Sequence, residues 1–496
     1  SDLSGNPYQI DNTDDLIELS NTSADWGDYF IQTSDISFNS DETMVDWDGD
    51  GTADWDAQDQ LGFSPIGIND VRFTGSYDGN DYSISNLYID RSNDDYIGLF
   101  GYTNNADIID LTISADITGF DSVGSLIGES DSDTHVENVH ASSQTTVTGE
   151  NSVGGLIGFM GQSFGSIINC SSAGSVTGNN SVGGLVGAIW SVSVTNSSSS
   201  ADVNAVTGSS FYENFGGFIG SALNSAIDNC YATGDVNIAS GINADYVGGL
   251  LGSGGAPPFT FPPPFVTECY ATGNVTAPGS DYVGGLIGYC INNTLSLSKS
   301  TGDVNGNERV GGLVGQMEFN FLGGETLENC YTRSNVTGKN FIGGLVGYLI
   351  DELVEDSYAA NTVTQKPGGT DAGGLVGYVQ GGFDINTSYY DKSINPGMPD
   401  STLYGIITHF MKYHMTFIDN GWDFIDETGN GSDDYWAINN TDNDGYPFFG
   451  WEGYTNLLPP DVETDNVNLV TSNSATGNGD IINTFGENVT ERGFIF

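Results

Sequence analysis

The stretch DWDGDGTADWDAQD sets three carboxylates at alternating positions, Asp46, Asp48 and Asp50, followed at once by Gly51. Alternating oxygen donors of this kind wrap one hard cation, and the glycine allows the sharp turn between them. Continuing the loop count, Thr52 offers a backbone carbonyl and Asp54 a further carboxylate. The closing position holds Ala57 where a calcium loop carries glutamate, so Asp56, Asp59 or a more distant group must complete the shell. Calcium is the expected cofactor, and a solvated acidic loop is the alternative. Asn440, Asp442 and Asp444 before Gly445 repeat the pattern more weakly, and read either as a second cation site or as an ordinary Asn/Asp/Gly turn.

Other residue types argue against catalysis. His409 and His414, in HFMKYH, have neither a zinc spacing nor cysteine partners, so a role in a capping region is expected. No hydrolytic carboxylate pair can be singled out among 66 acidic residues, and no HExxH occurs. The chain is therefore expected not to be an enzyme. Tyr231, Tyr270, Tyr331, Tyr358 and Tyr389 recur at one place in a repeat, which suits either packing within a stack or a sugar-binding row. The loop GGAPPFTFPPPFV, with Phe259, Phe261 and Phe265, is stiff and apolar, and reads as a partner contact or as a loop folded back on the stack. Glycosylation candidates are Asn21, Asn179, Asn274, Asn335, Asn386 and Asn488.

The elements that would carry these residues come from one phrase, VGGLVG, written with small variations ten times between Ile97 and Ala372 at intervals of 26 to 36 residues. A unit this short cannot bury its own apolar face, so the units must stack. Segments such as IDNCYATGDV are rich in β-branched and aromatic residues and carry no helical period. Short strands with loops of variable length predict an all-β fold: a parallel β-solenoid of about ten to eleven coils, with a propeller a poor second. Stacked coils place like on like, so Val or Ile and then Leu fill every core layer. The paired glycines, Gly248 and Gly249 among them, mark either a positive φ or a close approach of backbone. Cys170, Cys230, Cys269 and Cys330 share their repeat position with Val139, Ser197, Ser298, Ser357 and Ser388, which predicts a column of small buried side chains. A bridge between Cys230 and Cys269 is the minority alternative.

Residues 1–95 are expected to form an N-terminal cap that includes the acidic loop, with a helix near 12–20 capped at Thr13 and Leu16, Ile17 and Leu19 on one side. Residues 96–390 form the solenoid, and the aromatic-rich 391–456 the opposite cap, because open stacks expose edges that invite pairing. Residues 457–496 read as a linker and a few strands, expected to complete themselves by strand addition to a neighbouring subunit, or to continue into more chain.

Charge narrows the partners. Sixty-six acidic residues against ten basic ones give a formal net charge of −56. Such a field repels phosphate backbones and anionic membranes, which excludes nucleic acid, and it disfavours anionic sugars. It suits life in high salt or cation binding at many points. No apolar run is long enough for a transmembrane helix and no leader opens the chain, so a mature extracellular form is expected.

VGGLVG together with NCYATGDV resembles the GLUG-motif repeat of secreted bacterial and archaeal surface proteins. The resemblance spans roughly residues 84–390, and flanks such as FTGSYDGNDYSISNLYI and GYPFFGW fit it. It implies a β-helical stalk or adhesive region at the cell surface. That family includes repeat regions attached to IgA-cleaving metallopeptidases, whose activity does not carry over without the zinc motif. From Asn466 the tail resembles the first half of a fibronectin type III-like module. The expected function is structural or adhesive, as a subunit of a surface filament or stalk. Its partners would be further copies of the chain or neighbouring surface proteins. A carbohydrate-binding or carbohydrate-cleaving β-helix is the alternative.

Overall fold

A coil begins where an outward aromatic or polar residue precedes Val-Gly-Gly-Leu. In the coil that starts at Asp245, the strands are Asp245–Gly248, Leu251–Gly255, Phe265–Thr267, Tyr270–Ala271 and Val275–Thr276. Each lies parallel and in register on its counterpart in the next coil: Val247 on Val283, Leu251 on Ile287, Val266 on Leu295, Ala271 on Ser300 and Val275 on Val304. Repetition of this pairing builds three long parallel sheets around one core, the parallel β-solenoid that the repeat predicts. The computed structural model describes residues 7–38, 61–161, 164–206, 212–257, 264–319, 326–381, 384–398, 404–425, 429–439 and 442–452, and the backbone of two strands beyond.

The core is the repeated phrase seen from inside. Val283, Leu286 and Ile287 are fully buried, as are Val310, Leu313 and Val314 one coil on. Of the two explanations for the glycine pair, close approach is the one that holds. A Cβ on Gly249 would lie 2.2 Å from the carbonyl oxygen of Gly285, and one on Gly248 would lie 2.0 Å from that of Leu251. Positive φ falls instead on the residue before the valine, where Tyr246, Tyr282, Arg309 and Phe341 take 61°, 56°, 50° and 54°. A second left-handed residue precedes the Cys/Ser column, and it is asparagine at 138, 169, 196, 229 and 329. Asparagine tolerates that region best after glycine, so the N of NC is a corner residue.

The Cys/Ser column is buried, and all five thiols are free. It also carries hydrogen bonds: Ser197 Oγ accepts the Cys170 N–H at 3.0 Å, and Ser298 Oγ accepts that of Cys269 at 3.1 Å. Burial pushes the thiols of Cys170 and Cys230 up to about 12.

The sheet extends toward the N-terminus, with Tyr8 paired to Phe30, Tyr29 to Ser76 and Ser76 to Asp107. The helix runs Thr13–Asn21, with Leu16 and Leu19 buried and Ile17 packed against the core. Its cap is Asn12 rather than Thr13, because the Asn12 side chain accepts the Asp15 N–H at 3.1 Å. At the other end Tyr390 pairs with Gly405, and the chain then turns back along the side of the stack. The tail strands Asp461–Asn468 and Thr476–Asn483 form an antiparallel pair. Among the described residues no helix is long and apolar enough to cross a membrane.

Candidate functional site

The residue after each position of the Cys/Ser column lies on a strand and points away from the core, so register stacks these residues into one column. Along it stand Thr112, His140, Ser171, Ser198, Tyr231, Tyr270, Lys299, Tyr331, Tyr358 and Tyr389. Tyr231 and Tyr270 stack at 4.7 Å and 3° between ring planes, and Tyr331 and Tyr358 at 5.1 Å and 2°. Five of the ten positions are tyrosine, with Lys299 among them, while Thr112, His140, Ser171 and Ser198 make the other end short and polar.

The segment after Tyr404 lies along the aromatic half. Trp436 and Phe449 pack on Tyr331 at 6.1 and 5.2 Å, and Trp422 packs on Tyr358 at 6.4 Å. Indole N–H groups fix the two surfaces together: Trp436 Nε1 donates to Asn329 Oδ1 at 3.0 Å and Trp422 Nε1 to the Thr387 carbonyl at 2.9 Å. Where the column holds lysine instead of tyrosine, the segment supplies a carboxylate. Lys299 pairs with Glu452 and sits 5.5 to 5.6 Å from the rings of Tyr270, Trp451 and Tyr331. Arg333 likewise bonds Asp444 at 2.7 Å and the Asn443 carbonyl at 2.8 Å. Tyr331 and Tyr358 are consequently buried. Cover thins toward Tyr231, which is 37% exposed, beside Trp451, which is 38% exposed and stacks on Tyr270 at 6.1 Å.

A second column is polar. Asp202 Oδ1 accepts the Asp235 N–H at 3.0 Å, Asp235 Oδ1 the Asn274 N–H at 2.7 Å, and Asn274 Oδ1 the Asp303 N–H at 3.0 Å. It lines a cleft of about 400 Å³ with Thr276, Asn305, Asn335 and Thr337. Two sequons, Asn274 and Asn335, lie in it with exposed side chains. Their amides donate to Asp235 at 3.2 Å and Asp303 at 2.9 Å.

A third arrangement escapes inspection of the sequence. His135 Nδ1 lies 2.7 Å from Ser166 Oγ, and its Nε2 lies 3.2 Å from Glu137 Oε2. Hydroxyl, imidazole and carboxylate in series are the parts of nucleophilic catalysis. They stand on an outward strand face, where the Ser166 N–H is spent on the Thr134 carbonyl at 3.1 Å. The only signal was numerical: residues 135 and 166 are separated by one coil length.

The remaining expected sites fall as follows. The acidic loop with Asp46, Asp48, Asp50, Thr52, Asp54 and Asp59 lies outside the described residues, as do Asn440, Phe259, Phe261 and Asn488. Asp442 and Asp444 do not converge: the Asp442 carboxylate meets the Asn439 amide, and Asp444 meets Arg333, which holds its carboxyl below the usual range. Among the described residues no three His, Cys, Asp or Glu side chains are placed to hold a metal ion. Phe265 opens its strand and is exposed. Asn21 is exposed and Asn386 partly so. Asn179 is 3% exposed and donates to Glu150 at 3.1 Å, so a glycan there would have to displace the packed turn. His409 is exposed and His414 buried, both in the segment that flanks the column.

The GLUG motif matches residues 212–237. Halomucin of Haloquadratum walsbyi is 38% identical over 157 residues, which is 31% of this chain and 2% of that protein. A Gly-rich membrane protein of Evansella cellulosilytica is 38% identical over 97 residues, 19% of this chain and 11% of its own length. The chain thus spans a small part of the curated relatives it matches. A crystal structure assigned as an immunoglobulin A1 protease of Bacteroides ovatus aligns over 91% of this chain and 94% of its own at 15% identity, with a TM-score of 0.24. A superposition that weak bears on neither fold nor activity.

Proposed function

We propose that this chain is a structural and adhesive segment of an extracellular cell-surface protein, part of a filament or stalk, and that it has no enzymatic activity. The observation that carries the reading is the side of the stack: ten successive coils align their outward residues into one uninterrupted column from Thr112 to Tyr389. A rigid rod with ordered stripes suits presentation and contact, and the GLUG motif and the relatives named as halomucin and as a membrane protein agree with a surface setting. Calcium held by Asp46, Asp48 and Asp50 belongs to the same proposal, as does association with further copies or with neighbouring surface proteins. Gold-labelled antibody against residues 212–237 should decorate the outside of intact cells, and deletion of the chain should reduce their attachment to surfaces. Label confined to the cell interior would overturn the proposal.

A further inference from the structure

We propose that the ledge formed by Tyr231, Tyr270 and Trp451 binds a neutral polysaccharide; the inference rests on the adhesive reading and names its ligand class. Three rings lie in series here, Tyr231 on Tyr270 at 4.7 Å and 3°, and Trp451 on Tyr270 at 6.1 Å and 25°. Further along, the aromatic half of the column is covered by the C-terminal segment, but at this end the rings emerge, with Tyr231 37% and Trp451 38% exposed. The next two positions in the column are Ser198 and Ser171, whose side chains are too short to cover the outer face of Tyr231.

A flat apolar face above a step of hydroxyls fits a sugar ring, which offers C–H bonds on one side and hydroxyls around its rim. Polar groups stand at the right level: Ser198, Ser200, and the amide pair in which Asn229 Nδ2 donates to Asn196 Oδ1 at 2.7 Å. Successive coils rise by about 4.8 Å, close to the length of one unit of an extended sugar chain, so neighbouring units can meet successive coils. Charge selects the class of sugar. Lys299, the cation beside these rings among the described residues, is already paired with Glu452, and a chain of net charge −56 repels uronates and sulfated sugars.

The test is native gel retardation of the full chain in gels containing mannan, dextran or hydroxyethyl cellulose, with polygalacturonate as the anionic polymer, in molar and in low salt. Ser198→Tyr extends the ring column over the ledge, Tyr231→Ala removes the ring, and Tyr378→Ala removes an exposed ring of another sheet. Retardation by a neutral polymer is expected for the wild type and for Tyr378→Ala, with affinity reduced about tenfold or more in the other two variants. Melting curves identify a variant that fails to fold, and Ser198→Tyr keeps the test decisive if Tyr231→Ala does. Retardation by no neutral polymer, by polygalacturonate as strongly, or unchanged in Ser198→Tyr overturns the ledge. The adhesive reading falls on a different result, wild-type attachment by cells that lack the chain.

Discussion

Gly285→Ala should break the stack at one level. A Cβ there would sit 2.1 Å from the Gly312 carbonyl oxygen and 3.0 Å from Ser300 Oγ. Ordinary C···O contact begins near about 3.3 Å, so the coils must part by about 1.2 Å, and a backbone carbonyl cannot swing aside as a side chain would. Three inter-coil bonds run through that bend: Gly285 N to Gly311 O at 3.3 Å, Leu286 N to Leu313 O at 2.9 Å, and Ile287 N to Leu313 O at 3.1 Å. Their loss at about 1 kcal/mol each, with about 1–3 kcal/mol for overpacking, gives about 4–6 kcal/mol. Two other glycines calibrate the figure. Gly397 has ordinary φ and open space, so Gly397→Ala should stay within about 0.5 kcal/mol of wild type. Gly368 has open space but φ +79°, so Gly368→Ala should cost about 1–2 kcal/mol through backbone strain alone. Urea unfolding followed by circular dichroism ranks the three, and hydrogen exchange over residues 284–315 localises the effect if the stack opens in parts. If Gly285→Ala unfolds within about 1 kcal/mol of Gly397→Ala and exchange there is unchanged, close approach is the wrong reason for the glycine.

Trp436→Ala should release the C-terminal segment at about 3–5 kcal/mol, because the indole is buried between Tyr331, Trp422 and Phe449 and bonds Asn329; trypsin should then cut at Lys412 faster while the repeats stay intact. Stability should rise as pH falls from 8 to 5. Burial pushes Asp356 up to about 6, and burial with neighbouring carboxylates raises Glu213, Asp245 and Asp281, so their ionised forms cost stability at high pH and protonation through their folded values removes that cost. Below about pH 4 the lowered groups, Asp35 and Asp444, reverse the trend as they protonate; a melting temperature lower at pH 5.5 than at pH 8 would refute the assignment. The five buried thiols should resist a disulfide reagent at pH 8 and all react in urea; fast reaction of Cys170 or Cys230 in the native state would contradict their burial.

The solenoid was legible because stacking repeats the core, and a repeated core writes itself as VGGLVG. The reason for its glycines was not legible, since positive φ and close approach both demand glycine. The structure puts the positive φ on Tyr282, Arg309 and Phe341, residue types that carry no signature of it. The Cys/Ser column could be read as small and buried, but not as a ladder in which Ser357 Oγ accepts the Cys330 N–H. The aromatic bulk after residue 404 was visible, whereas the surface it docks on was not. That surface is set by contacts such as Trp436 to Asn329, between residues 107 apart in sequence. Lys299, which interrupts the run of tyrosines from Tyr231 to Tyr389, was the one local clue, and Glu452 is its answer.

In-register stacking turns each outward choice of residue into a stripe, and this makes acidity costly in a way the net charge does not reveal. Glu213, Asp245, Asp281 and Glu308 follow one another at successive coils, each beside the next. Burial and that proximity raise the pKa of the first three, and Arg309 stands next to the last of them to relieve Asp245 and Asp281. From Asp235 onward the polar column eases the problem by alternation: Asn274 separates Asp235 from Asp303, Asn335 follows Asp303, and each amide or carboxylate bonds its neighbour. An asparagine ladder transmits the same hydrogen-bond pattern as an aspartate ladder without the repulsion, so the places where asparagine was not used are the places where salt or protons must do the screening.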